Sequence, residues 1–352
     1  MKLILIALAA IAASPDAPFY SDKLNLSVYQ GKDGALHPIK SVADARVRRE
    51  HLLANMQLVM GAYPPDAKRV PLDVRVDEEV DTPKYIQQKI SYASEAGDRV
   101  PAYLLIPKQR DLKSPAMLCL HQTTEIGKGE PVGLGGKENL RYAQELAERG
   151  YVCLAPDYPR FGDYNVDVYE MGYVSASMKG VWNHMRGVDL LQSLPEVDPD
   201  RIGCIGHSLG GHNTLFVSVF DERIKVAVTS CGFTRFAKYY NGDLTGWTHK
   251  GYMPRIDTVY GKDPAKMPFD FPDILAAIAP RHVFINAPVN DANFDVGGVK
   301  ESVEAARKIF ALHGAEAHLA AVYPDDEHDF PDPEREQAYA FIDTVLKPTP
   351  KP

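Results

Sequence analysis

Nowhere in these 352 residues is there an apolar run approaching the ~20 residues that a membrane-spanning helix needs. Clustered basic charge is missing too. The formal charge is -8 and the lysines and arginines are scattered, so the electrostatic footprint of a nucleic-acid binder is absent. Neither C-x-x-C nor H-E-x-x-H occurs, which removes the common structural and catalytic zinc patterns; neither metal nor cofactor is expected. There is no internal repeat and no low-complexity block. Cysteine is scarce: Cys119, Cys153, Cys204 and Cys231 each lie inside or at the end of an apolar run that reads as a strand, so buried free thiols are expected rather than disulfides.

What is present reads as one large domain with additions. "MKLILIALAAIAASPDAP" offers a lysine, a short apolar run and Ala10-Ile11-Ala12 in an A-x-A cleavage pattern, so residues 1–12 are read as a signal peptide and the mature chain as soluble, periplasmic or secreted. Residues 13–75 form a helical extension, with apolar residues at helical spacing over 41–60 and the breaker "AYPPD" after them. Alternation in "PLDVRVDEEV", "YIQQKISYAS" and "RVPAYLLIP" predicts an antiparallel meander. The rhythm then becomes strand, helix, strand: "AMLCLH", "YVCLAP", "RIGCIG", "KVAVTSC", "HVFINA" and "HLAAVYP" are near-continuous apolar runs joined by helical segments. That pattern belongs to a parallel sheet covered on both faces. A domain over 76–348 is therefore expected, carrying an aromatic-rich, lid-like insertion at 232–272.

Within it, Gly206-His207-Ser208-Leu209-Gly210 fits G-x-S-x-G between a predicted strand and a predicted helix, the context in which such a serine is a nucleophile. Without those neighbours it would be a helix cap in a glycine-rich turn. A serine needs a base, and the base an orienting acid. After "HVFINAP" comes "VNDANFD", which places Asp291 at a strand's carboxyl end; Asp295 is the rival, in a position that better suits a helix N-cap. After "LAAVYP" comes "DDEHDFP", in which His328 is the base candidate. Donors for a substrate oxyanion are expected from the Leu209 N–H and from the loop after "AMLCLH", where the Thr123 N–H is favoured and Gln122 is the alternative. His121, Gln122, His207 and Trp247 are candidates for lining the substrate site. Phe233, Phe236, Tyr239, Tyr240, Tyr252 and Tyr260 form, with Trp247, either a stacking wall or the packing of the insertion.

Given "LCLHQT", "ELAERGYVCLAPDYPRFGD", "IGHSLGGH" and "PDDEHDFP", the chain from about Val76 to Leu346 resembles the α/β-hydrolase superfamily, in the branch of dienelactone hydrolase-like and acetyl xylan esterase-like proteins. The resemblance implies the α/β-hydrolase fold: a mostly parallel central sheet with helices on both faces, preceded here by the meander and an added N-terminal helix. Dienelactone hydrolases proper use cysteine where Ser208 stands, which points to ester hydrolysis. Many relatives have glycine where Gln122 follows the oxyanion-loop histidine.

The reading is a serine carboxylic-ester hydrolase with a small-molecule or oligosaccharide ester as partner, acetylated carbohydrate or similar. Two other classes compete. A prolyl-oligopeptidase-type peptidase shares the order of the triad, but normally carries a β-propeller that about 65 residues before the meander are too few to build. A hydrolase-fold binding protein is expected to lack a triad member.

Overall fold

In the computed structural model, which describes residues 17–109 and 112–347, a two-stranded ribbon of β1 (Val28–Gln30) and β2 (Leu36–Pro38) leads into helix α1 (Val42–Met60). The expected leader at 1–12 lies outside the described residues. Helix α1 starts where the sequence signals it. The Ser41 side chain accepts from the Asp44 N–H, and the Asp44 carboxylate accepts back from the Ser41 N–H, a reciprocal capping box. The ribbon was not foreseen, its strands being only three residues long.

Nine strands follow in one sheet: β3 (Arg75–Asp81), β4 (Tyr85–Glu95), β5 (Asp98–Pro107), β6 (Ser114–Leu120), β7 (Val152–Pro156), β8 (Val197–His207), β9 (Ile224–Ser230), β10 (His282–Asn286) and β11 (Leu319–Val322). Their spatial order is β11-β10-β9-β8-β6-β7-β5-β4-β3. From β7 to β11 all neighbours are parallel; β3, β4 and β5 form the antiparallel meander that joins β7. Burial follows topology. Strand β5 alternates buried and half-buried positions, whereas every residue of β6 and β7 is buried because helices cover both faces.

The helices are α2 (Tyr142–Glu148), α3 (Ala176–Ser193), α4 (Leu209–Phe220), α5 (Arg255–Thr258), α6 (Phe271–Ile278), α7 (Val296–Leu312) and α8 (Asp332–Leu346). Apolar residues of α2 and α8 share one core with the sheet, and those of α1, α3, α4, α6 and α7 share the other. Helix α1 is bolted on by a buried ion pair: Arg48 Nη2 stands 2.8 Å from Asp273 Oδ1 on α6, while its Nη1 donates to the Val28 carbonyl of β1. A second buried cation, Lys179 on α3, donates to Ser94 Oγ, Glu95 Oε1 and Asp98 Oδ2 at the β4–β5 turn. All four cysteines are buried and free.

Strand order reverses about β6, whose sequence neighbours β7 and β8 lie on its two sides. In open parallel sheets, the crevice at such a reversal, beyond the strands' carboxyl ends, is where ligands bind.

Candidate active site

The turn between β8 and α4 is forced by its glycines. A Cβ on Gly206 would stand 2.3 Å from the Gly210 carbonyl oxygen, and one on Gly210 would stand 2.0 Å from that of Leu120. Only bare backbone can jam the start of α4 against the end of β6 in this way. Ser208, between them, is driven to φ 53 and ψ -114, a strained conformation for a residue with a side chain. Its N–H donates to the Ser230 carbonyl of β9. The Leu209 N–H is the first of α4; it has no intrahelical acceptor and sits at the positive end of the helix dipole.

His328 lies in the loop between β11 and α8 and Asp291 in the loop between β10 and α7; His328 Nδ1 is 2.9 Å from Asp291 Oδ2 and 3.0 Å from Oδ1. The Asp291 side chain is 1% exposed, against 19% for His328. Asp291 Oδ1 also accepts from the N–H groups of Asn293 and Phe294, so the carboxylate is aimed by its own loop. The two loops are zipped together by donation from Ala287 N to Val322 O, Val289 N to Pro324 O and Asn290 N to Asp326 O. Asp295 takes another place: it caps α7, accepting from the Gly298 N–H.

The ring of His207, the residue before Ser208, meets the His328 ring edge-on at 4.8 Å, which brings His328 to the elbow.

Beyond β6, His121 is buried and both of its ring nitrogens are engaged: Nε2 accepts from the Tyr158 N–H, so Nδ1 carries the proton and donates to the Gln122 carbonyl. Burial lowers its pKa, in keeping with a neutral ring. The bond also orients the next peptide. With the Gln122 C=O turned to the His121 ring, the Thr123 N–H of the same trans peptide points the opposite way, away from that ring. Thr123 Oγ1 lies 3.0 Å from Tyr252 OH of the insertion, a partner with no local signal in the sequence. The Gln122 amide donates to Glu130 Oε1, which also accepts from the Lys137 N–H, while Lys137 Nζ reaches the His328 carbonyl. Glu130 and Lys137 thus link the loop after β6 to the histidine loop. The sequence reading missed both, because a loop's internal contacts leave no periodicity.

Three expected lining residues are placed differently. His121 has no free polar atom to offer a substrate, and His207 is fully buried beneath the elbow. Trp247, 3% exposed, is wedged among His212, Phe236, Tyr239, Tyr252 and Phe271 at centroid distances of 4.8–6.0 Å. Its ring packs the insertion against α4 and α6 rather than standing as a wall, since burying so large an apolar surface outweighs presenting it to water.

A model of the prolyl oligopeptidase family matches residues 139–348. YtaP of Bacillus subtilis, described as a hydrolase, is 29% identical over 232 residues, covering 62% of this chain and 74% of its own. Among solved structures, a glucuronoyl esterase from Solibacter usitatus superposes with a TM-score of 0.70 at 17% identity, over 93% of this chain and 98% of its own. An acetyl xylan esterase from Paenibacillus sp. R4 does so with a TM-score of 0.58 at 17% identity, over 88% and 97%. At such identities the likeness is one of fold: the α/β-hydrolase fold.

Proposed function

The chain belongs to the prolyl oligopeptidase family, and from that premise we propose that it is a serine carboxylic-ester hydrolase working through an acyl-enzyme. The observation that carries this reading is Ser208 held at positive φ on a strand-to-helix elbow, with a carboxylate-bound histidine ring packed beside it. Ser208 Oγ attacks the ester carbonyl as His328 Nε2 takes its proton; Asp291, bonded to Nδ1, holds the ring in that tautomer and stabilises the imidazolium. The oxyanion that forms is met by the N–H groups of Leu209 and Thr123. His328 then protonates the leaving alcohol, and water, activated by the same ring, clears the acyl group.

The substrate is acetylated carbohydrate or a similar small ester. The full-length likeness to carbohydrate esterases in fold supports this. The peptidase reading keeps the family's name as its support, and one panel separates the two: p-nitrophenyl acetate, acetylated xylo-oligosaccharides, a methyl hydroxycinnamate and a prolyl p-nitroanilide. Esters should be turned over, and Ser208→Ala should lower kcat by about 10⁴-fold or more. Ordinary ester turnover by a folded Ser208→Ala protein would sink the triad; turnover of the anilide alone would move the protein to the peptidases.

The leader reading is carried forward as export with cleavage after Ala12. Amino-terminal sequencing of protein recovered outside the cytoplasm should begin at Ala13, and an intact Met1 there would overturn it. No helix among the described residues is long and apolar enough to cross a membrane.

A further inference from the structure

Beside the β8–α4 elbow three donor atoms converge: a ring nitrogen each of His207 and His328 and the sulfur of Cys231, all within 4.8 Å of one another. We propose that this cluster is a binding site for one thiophilic divalent cation of the zinc type, and that the cation, by engaging His328, switches the enzyme off.

The hydrogen bonds around His207 point there. Ser230 Oγ accepts from Asn286 Nδ2 at 2.9 Å, and its own hydrogen is directed at Cys231 Sγ, 3.9 Å away. His207 Nδ1 lies 2.9 Å from the same oxygen, and with Nδ1 as the donor the ring's Nε2 is free to bind a cation. On a ring with no exposure, the remaining nitrogen Nε2 has no partner among the described residues. A buried polar atom left so costs about 1–3 kcal/mol, and in a native fold it asks for an occupant. An imidazole whose Nδ1–H is bonded to a neighbour and whose Nε2 is free is the arrangement found in metal ligands.

Cys231 supplies the second observation. Its backbone sits at φ 47, a conformation that a residue with a Cβ adopts only under constraint. The turn carries Sγ out of β9 and under the histidine loop, 3.3 Å from the Asp329 carbonyl. The other three cysteines lie within strands β6, β7 and β8. Two imidazole nitrogens and a thiolate suit zinc and its neighbours, and exclude magnesium or calcium, which require oxygen. Bonds of about 2.0–2.3 Å in a tetrahedron put donors about 3.3–3.8 Å apart, so closure needs roughly 1 Å of movement. His328, the partly exposed member, provides both that movement and the path from solvent.

Binding is independent of the ester-hydrolase reading; inhibition rests on it. Co²⁺ titrated into the full chain should give a thiolate-to-cobalt charge-transfer band that saturates at one equivalent. Cys231→Ser should abolish the band, and His207→Gln should weaken binding about ten-fold or more. The half-buried His282–His318 pair, stacked at 3.7 Å at the far end of β10, has no thiol and contributes no such band. In parallel, Zn²⁺ should inhibit ester turnover, with each variant compared with its own rate in chelator, and the concentration for half-inhibition should rise at least about ten-fold in both variants. Absence of the band, or a band that survives Cys231→Ser, overturns the proposal. If Cys231→Ser misfolds by circular dichroism, the His207→Gln titration decides alone: unchanged cobalt affinity overturns the site. A band with no ester turnover would refute the esterase reading and leave the metal site standing.

Discussion

At the scale of single residues, the choice between Asp291 and Asp295 shows what a motif can and cannot say. Both lie in one loop, four residues apart, and both types suit either duty. The structure gives Asp291 to the His328 ring and Asp295 to the first turn of α7. Asp291→Asn should then lower kcat by about 10⁴-fold, because an amide stabilises the wrong imidazole tautomer and cannot balance the imidazolium. Asp295→Ala should instead cost about 1 kcal/mol of stability with kcat nearly intact. Steady-state kinetics beside thermal melts of the two proteins check the pair, and an exchange of phenotypes would reassign the acid. Gly206 and Ser208 were legible because their duty is local, a turn that only certain residue types can make. Glu130 was not, since its value lies in bridging Gln122 and Lys137, which meet only after the loop has folded.

At the scale of elements, the parallel strands could be read directly from their continuous apolar runs, and α1 from its helical spacing and its Ser41–Asp44 cap. What joins elements was hidden. Lys179 looks in sequence like any helix-surface lysine, yet its side chain has no exposure and its ammonium group bridges Glu95 and Asp98 between α3 and the β4–β5 turn. Burial alone pushes the Glu95 pKa up, but its contacts with Lys179 and Lys68 outweigh this and hold it below the usual carboxylate value. Removing the cation as Lys179→Met leaves two carboxylates buried with too little charge to balance them, a loss of about 3–5 kcal/mol at neutral pH. The sign with pH is specific. With Lys179 in place the Glu95 pKa is held below its unfolded value, so the stability that the pair contributes is lost as the pH falls through that range, and the variant's deficit shrinks below about pH 5. Urea melts at pH 7 and pH 4.5 test this, and a deficit independent of pH would show that packing, not charge, carries the effect.

For the molecule as a whole, the imidazoles buried at its centre govern acid stability. Burial pushes the pKa values of His184 and His212 down to about 3, that of His207 well below the ordinary histidine range, and that of His121 down as well. In the unfolded chain each takes up a proton near pH 6.5, so between pH 6.5 and about 3 the unfolded state holds more protons and stability falls with falling pH. Tm should therefore drop steadily from pH 7 toward pH 4. His184→Gln, which removes one titrating group, should flatten that slope whatever its effect on Tm at pH 7; an unchanged slope would show that His184 is not among the groups responsible. The covalent order of residues by itself determined the sheet, its helices, the elbow and the candidate triad's order along the chain, because hydrophobic periodicity and glycine sterics act over a few residues. Only the tertiary structure decided which aspartate meets His328, that Trp247 is packed rather than presented, and that His207, Cys231 and His328 share one space. Those outcomes depend on distances between segments far apart in sequence, set by how the strands are ordered and how their loops are zipped, and no local pattern encodes them.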